Sequence, residues 1–427
     1  MSTSGGPGAG GASNTSAPDG PGRPLDYVRR IGPGLVAGAS DTDPTTVAAI
    51  AVVGATTIFG LAWLVLLVAP MLIVVQIISS RLGALGQADL QSAARARFGP
   101  ALRLVLLASI LVVTGLTLAA DLEAGAAAVA LLTGLPEAWL VVPLALIIVA
   151  LLALGSYAGI QRVLKYLALA LLAYAGSAFL AHVDWGQVLH HSFIPSFSFT
   201  HDYIAGGLAI VGTTLTSYVY VWQSVQLAEE RPPSAWLRAT ETDATIGIVF
   251  AVVIVWFILV ATGATLGVHH RQVHTAPDAA RALAPFAGSA ASTVFGIGLL
   301  ASALVAVPVL MSTAAYVTGA EFRWRRGLSE PLRRAPAFYA ALGATTLLAV
   351  LVTLWSRSPI QLLFDASIAG GIGTPIGLAF LLVVAGDRGV MRGRPIGRGL
   401  RVAGWLITGL IAVMGGLYLV DELVGLH

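Results

Sequence analysis

An all-α polytopic membrane protein is the fold class this sequence predicts, and three observations predict it. Of its 427 residues, 57% are hydrophobic and only 11% are charged, where a typical soluble domain carries about 25% charged residues. Eleven apolar runs, each about 18 residues or longer, are long enough to cross a bilayer as helices. The basic residues then fall almost wholly on alternate connections between those runs. Cysteine is absent, which excludes disulfides and thiolate metal sites.

Residues 1–24 are mostly Gly, Ser, Pro and Ala with scattered polar groups. They lack the apolar core of a signal peptide and predict a disordered cytosolic tail. Residues 25–427 predict a single transmembrane domain. Its first span, Gly32 to Thr57, is interrupted near its middle by Asp41, Thr42, Asp43 and Pro44. Pro44 has no amide hydrogen to donate and disfavours helical geometry at Asp43. The span therefore reads as two half-helices, the second starting at Pro44 with Asp43 at its cap. Asp-Pro is also an ordinary helix start. Inside a span, however, Asn or Ser would cap without burying a charge, and an intramembrane acid is a functional-site hypothesis by default.

The remaining runs lie near 61–80, 101–133, 138–156, 163–181, 203–228, 244–267, 288–319, 337–355, 360–385 and 402–420. Those at 101–133 and 288–319 exceed a level span, so they tilt or extend beyond the lipid. With the N-terminus cytosolic, 21 of the 24 basic residues face the cytosol, and only Arg271, Arg281 and Arg357 lie outside. Adding or losing one span scrambles this split. All eight histidines, His182, His190, His191, His201, His269, His270, His274 and His427, fall outside. They read as loop residues, with metal gathering at the outer mouth as the alternative.

The sixth run is interrupted as well. Gly212 to Tyr218 holds Thr213, Thr214, Thr216 and Ser217, poor helix material at membrane depth. Taken alone this is weak, since hydroxyls often bond back to their own helix. Its placement matters more. Repeat one, about 27–181, and repeat two, about 203–386, are halves of similar length, and an interrupted helix leads each. With five spans apiece they insert in opposite orientations. Paired interruptions in inverted repeats point to a midplane site in a secondary transporter. An extra helix follows near 402–420. Asp43, Thr46 one helical turn further on, the Thr213 carbonyl and the Thr216 hydroxyl make a set of oxygen donors suited to a hard or borderline cation.

At these residues the chain resembles the natural resistance-associated macrophage protein family of divalent metal transporters, over most of residues 27–420. That family opens with a Gly-Pro-Gly segment, here Gly32, Pro33 and Gly34. A DPGN motif in a broken first helix follows, here Asp43, Pro44, Thr45 and Thr46. Its third span carries an acidic motif similar to Asp121 and Leu122. Its sixth-span GATxMPH motif corresponds to Gly212, Thr213, Thr214, Leu215, Thr216, Ser217 and Tyr218. The resemblance implies 11 transmembrane helices in the leucine-transporter-type 5+5 inverted repeat, with broken first and sixth helices. It also implies a divalent cation as transported substrate, no cofactor, and a place in the cytoplasmic membrane. The departures define a divergent branch. The family's Asn ligand is Thr46, its Met ligand is Thr216, its His is Tyr218, and the tenth-span Gln falls in Gly370–Gly373. Such branches include magnesium-selective transporters.

Other candidates lie along the pathway. Asp41 cannot share one dry pocket with Asp43 as a second anion without strong repulsion; it is protonated or faces water on the entry path. Asp121 and Glu123, at i and i+2, point to different helix faces, and a structural role weighs as much as a transport role. Asp365 sits near the outer surface. Gln223 lines the inner exit or packs helices. With Tyr218 in place of His, weak or absent proton coupling is expected. An amino-acid or other organic-solute transporter of the same fold is the alternative. No HExxH, paired intramembrane Asp motif or Ser–His arrangement speaks for an enzyme; neither does anything in the sequence speak for nucleic acid. A channel would conduct without saturation. The charge split predicts a cytosolic N-terminus and an external His427. Accessibility labelling of a C-terminal tag tests this: outside labelling is expected, and labelling only after permeabilisation contradicts it.

Overall fold

The computed structural model describes residues 42–153, 169–181, 183–233, 236–356 and 358–424. All regular structure among them is helical. Gly32, Pro33, Gly34, Asp41, Arg162, Lys165, His182, Arg357 and His427 lie outside the described residues, and so do the first half of the broken first span and the proposed tail. Eight helical stretches among the described residues are long and apolar enough to cross a membrane. Three shorter apolar helices, Pro44–Thr57, Glu137–Ala153 and Ala170–Leu180, add to them. Each of the three lies within a few residues of the undescribed segments.

The helices begin where local chemistry supports a start. α1 (Pro44–Thr57) has Asp43 at its cap, with the side chain accepting from the Thr46 amide and Pro44 in the first turn. α2 (Ala62–Arg81) returns across the membrane and carries Pro70 inside. A short helix, α3 (Leu90–Arg97), is capped by Asp89 and leads into α4 (Pro100–Thr133), which stops at Gly134 in the left-handed conformation. At about 1.5 Å per residue α4 is about 51 Å long, well over the ~30 Å hydrocarbon core. α5 (Val141–Ala153) and α6 (Ala173–Leu180) belong to the fourth and fifth spans. α7 (Trp185–Phe193) is capped by Asp184.

The second half repeats the pattern. α8 (His201–Thr214) and α9 (Ser217–Glu230) are the two pieces of the sixth span. The break is narrower than the sequence suggests: only Leu215 and Thr216 leave the helix. The hydroxyls of Thr213 and Thr214 are tolerated in the last turn; that of Thr214 bonds back to the Ile210 carbonyl at 2.6 Å. α10 (Leu237–Thr265), α11 (Ala291–Phe322), α12 (Pro336–Trp355), α13 (Pro359–Gly386) and α14 (Arg398–Val424) complete the chain.

Packing sets the broken spans at the centre. The sixth span is 89% buried over its most apolar window, whereas the last helix is only 28% buried. α8 lies against α1, α13 and α14, while α10 covers α1 and α2. α4 runs along α11, α12 and α13. Outward-facing Leu146, Ile147, Leu347, Leu348, Leu351 and Leu406 remain exposed, as lipid-facing side chains should.

The approach of α8 to α13 is the closest constraint on the site. A Cβ on Gly212 would sit 2.0 Å from the Ser367 carbonyl oxygen and 2.3 Å from the Gly371 nitrogen. One on Gly370 would meet the Gly212 carbonyl oxygen at 2.7 Å. The small-residue run of the tenth span is therefore a backbone-to-backbone seat for the sixth, and a long amide side chain at Gly370 or Gly371 has no room. Gly212→Ala should force the helices apart, at about 1–3 kcal/mol for overpacking. Its thermal aggregation temperature in detergent, read by gel filtration, should fall. Gly409→Ala, with nothing within 4 Å, should leave it unchanged; equal behaviour of the two variants contradicts the close seat.

Candidate functional site

The site is assembled where α1 starts and the sixth span breaks. Asp43 is buried, 1% exposed. Its Oδ1 accepts from the Thr46 amide at 2.7 Å and the Thr46 hydroxyl at 2.6 Å. Its Oδ2 accepts from the Tyr218 hydroxyl at 2.8 Å. The Thr46 hydroxyl also meets the Thr213 hydroxyl at 2.9 Å. Three of the residues singled out in sequence thus close on Asp43: Thr46 directly, Tyr218 directly, and Thr213 through Thr46. The sequence expected a carbonyl from Thr213; the contact the fold makes there is through its hydroxyl.

Thr216 caps α9 without a side-chain capping bond, and its Oγ1 is buried with no partner among the described residues. Ser217 Oγ next to it is in the same state. A buried, unpaired hydroxyl costs about 1–3 kcal/mol unless something polar meets it, so these oxygens are built to face a ligand or water. The breaks also expose carbonyls. That of Thr42 accepts from the Ser302 hydroxyl, and that of Leu215 from Thr374 at 3.3 Å.

A second carboxylate approaches from α4. Asp121, wholly buried, accepts from the Thr45 amide at 3.1 Å and the Thr45 hydroxyl at 2.6 Å through Oδ1. Its Oδ2 has no partner among the described residues, and its bonds to Thr45 tie α4 to the first turn of α1 beside Asp43. Glu123 points elsewhere, towards Ser356 at the start of the α12–α13 connection, with Glu137 nearby. The i, i+2 separation thus sends the two acids to different neighbours. Gln223 bonds the Ser80 hydroxyl at 3.1 Å, a contact that packs α9 on α2. Asp41 lies outside the described residues.

Sequence reasoning missed Thr45, Ser302 and Thr374. Thr45 was signalled only by adjacency to Thr46. Ser302 and Thr374 are single hydroxyls in apolar spans, with no pattern to separate them from other Ser and Thr residues. Among the described residues no three His, Cys, Asp or Glu side chains come together as a metal-ligand group. Two of the described histidines have partners other than the site residues: His201 pairs with Asp421 at 2.7 Å, and His274 meets Gln272 at 2.9 Å.

Comparison with known proteins gives this geometry a context. The family model described as natural resistance-associated macrophage protein-like matches residues 34–421. The divalent metal cation transporter MntH of Deinococcus radiodurans is 29% identical over 417 residues, covering 93% of this chain and 92% of that protein. The protein of the same name from Xylella fastidiosa is 28% identical over 417 residues, covering 92% and 86%. A histidine-to-alanine mutant of the manganese transporter of Eremococcus coleocola superposes with a TM-score of 0.69 at 21% identity, over 94% of this chain and 88% of that one. Mhp1, a nucleobase-cation-symport-1 family transporter, shares the fold at TM-score 0.61 and 14% identity, over 93% and 91%.

Proposed function

The chain belongs to the natural resistance-associated macrophage protein family of multi-pass membrane transporters, and from there we propose that it carries a divalent metal cation into the cell by alternating access. The observation that carries the proposal is Asp43, buried where α1 starts and the sixth span breaks, and met there by two hydroxyls and one backbone amide. Asp43 supplies charge, and Thr46, Thr216 and the Thr213 carbonyl, with water, complete the shell. Asp121, bonded to Thr45 in the first turn of α1, brings a second carboxyl group close to the site. The metal is cargo, so no cofactor is required. All four proposed ligands are at most 4% exposed, consistent with an occluded stage between inward and outward openings.

Oxygen donors set the class of ion. A thioether favours softer transition metals and a hydroxyl does not. Thr216 in place of Met therefore removes a reason to reject hard ions, and the Mg²⁺, Mn²⁺ and Fe²⁺ range is the proposed substrate class. The organic-solute alternative is disfavoured by the Asp43 carboxylate at a half-helix N-terminus, where a substrate carboxylate would otherwise sit. Proton coupling is proposed to be weak or absent. Tyrosine at 218 has an ordinary pKa of about 10, far from the histidine range, and the ninth span carries no basic residue.

Vesicles holding both a metal dye and a pH dye test these statements together. Asp43→Ala should abolish saturable uptake, and wild-type uptake by a folded Asp43→Ala protein contradicts the site. Thr216→Met should shift competition towards Mn²⁺, Fe²⁺ or Cd²⁺; an unchanged profile shows that residue 216 does not touch the ion. Uptake should proceed without matching acidification. Metal-driven acidification that is lost on mutating Asp121 or Glu123 rejects the uncoupled mechanism.

A further inference from the structure

The two oxygens of Asp43 are not equivalent. Oδ1 is committed to the fold: it accepts both the Thr46 amide and the Thr46 hydroxyl, and so holds the first turn of α1. A carboxylate oxygen has about two lone-pair positions, so Oδ1 has no capacity left for an ion. Among the described residues Oδ2 accepts one bond, from the Tyr218 hydroxyl at 2.8 Å, which leaves one position. The two donors lie on different elements, Thr46 on α1 and Tyr218 in the first turn of α9. Tyr218 is itself 4% exposed, so its ring is held by packing. The carboxylate is gripped at both ends, and its plane cannot turn to present both oxygens to one cation.

We propose that Tyr218 is a specificity-determining positioning residue that restricts Asp43 to one-oxygen ligation and thereby selects small octahedral dications over Ca²⁺. The inference rests on the reading of Asp43 as the cation's carboxylate. The chemistry follows from ion size. Ca²⁺ takes six to eight oxygens at about 2.3–2.6 Å and readily uses a carboxylate through both of its oxygens. Mg²⁺ demands near-octahedral geometry at about 2.0–2.1 Å, usually with single carboxylate oxygens and retained waters. A carboxylate with one free position fits the second pattern and denies the first. Thr216 decides between hard and soft ions; Tyr218 decides among the hard ones. The hydroxyl touches the ligand and not the ion, as hydrogen-bonded partners of metal-binding carboxylates commonly do.

Equilibrium binding of Mn²⁺, Mg²⁺ and Ca²⁺ to the purified full chain tests the proposal, with wild type, Tyr218→Phe and Asp43→Asn side by side. Wild type should bind Mn²⁺ or Mg²⁺ more tightly than Ca²⁺. Tyr218→Phe keeps the ring and removes the donor. It should weaken Mn²⁺ or Mg²⁺ binding by about tenfold or more, the usual effect of losing such a partner, while Ca²⁺ binding holds or strengthens. An unchanged ratio of Ca²⁺ to Mn²⁺ affinity in Tyr218→Phe, with Asp43→Asn silent for all ions, overturns this inference and leaves the site standing. Saturable binding that survives in Asp43→Asn overturns the site itself. A second readout needs no Tyr218 variant. Infrared difference spectra of wild type with and without Mn²⁺ should show the wide separation of carboxylate stretching bands that marks one-oxygen ligation, in bands missing from Asp43→Asn. A narrow, two-oxygen separation in those bands contradicts the proposal.

Discussion

A carboxylate buried at membrane depth needs hydrogen-bond donors to offset the cost of its burial. At Asp43 this demand is met by the first turn of its own helix and by a phenol from the sixth span. The broken geometry follows. Only a helix that starts at Pro44 turns its free amides towards the Asp43 side chain, and only a sixth span that restarts at Ser217 brings Tyr218 within reach. The Thr46–Thr213 contact closes the same circle from the other half of the break. Packing serves this arrangement. The glycine seat of α8 on α13 lets the sixth span come close enough to the centre for its side chains to meet those of α1.

The chemistry of the site is that of oxygen throughout. Its carboxylates belong to Asp43 and Asp121, and its hydroxyls to Thr45, Thr46, Thr213, Thr216, Ser217 and Tyr218. Satisfied and unsatisfied groups are divided between them. Asp43 is held by protein donors through both oxygens, with one position on Oδ2 left open, while Thr216, Ser217 and one oxygen of Asp121 are buried with no partner among the described residues. The bonded groups hold the half-helices in register, and the unbonded ones supply affinity for something polar. Hard oxygen donors and concentrated negative charge suit a dication better than an organic solute.

Much of this was legible in the sequence. The apolar runs fall on helices over most of the described residues, because a span must be long and apolar whatever it packs against. The helix start at Pro44 under an Asp43 cap was visible because proline suits a first turn and a buried acid is rare. The sixth-span break was visible only by its pairing with the first, and hydroxyl-bearing residues blurred its edges: Thr213 and Thr214 stay helical. The separation of Asp121 from Glu123 followed from helical spacing. The partners did not, because Thr45, Ser302 and Ser356 meet those spans from elsewhere in the fold. The bond from Tyr218 to Asp43 was hidden for the same reason, since periodicity within one helix carries no information about which neighbour its side chains reach. The glycine run at 370–373 could be read as a lost ligand position, but its use as a seat for Gly212 appears only in three dimensions.

The central claim is that one buried, oxygen-only centre around Asp43 binds a divalent cation. Isothermal titration of the purified protein with Mg²⁺, Mn²⁺, Fe²⁺ and Cd²⁺, each in competition with the others, tests it most directly. The account predicts one saturable ion per chain, with Mg²⁺ able to displace Mn²⁺ and no preference for Cd²⁺. Failure of every dication to bind, or a strong preference for Cd²⁺ that Mg²⁺ cannot disturb, would contradict it.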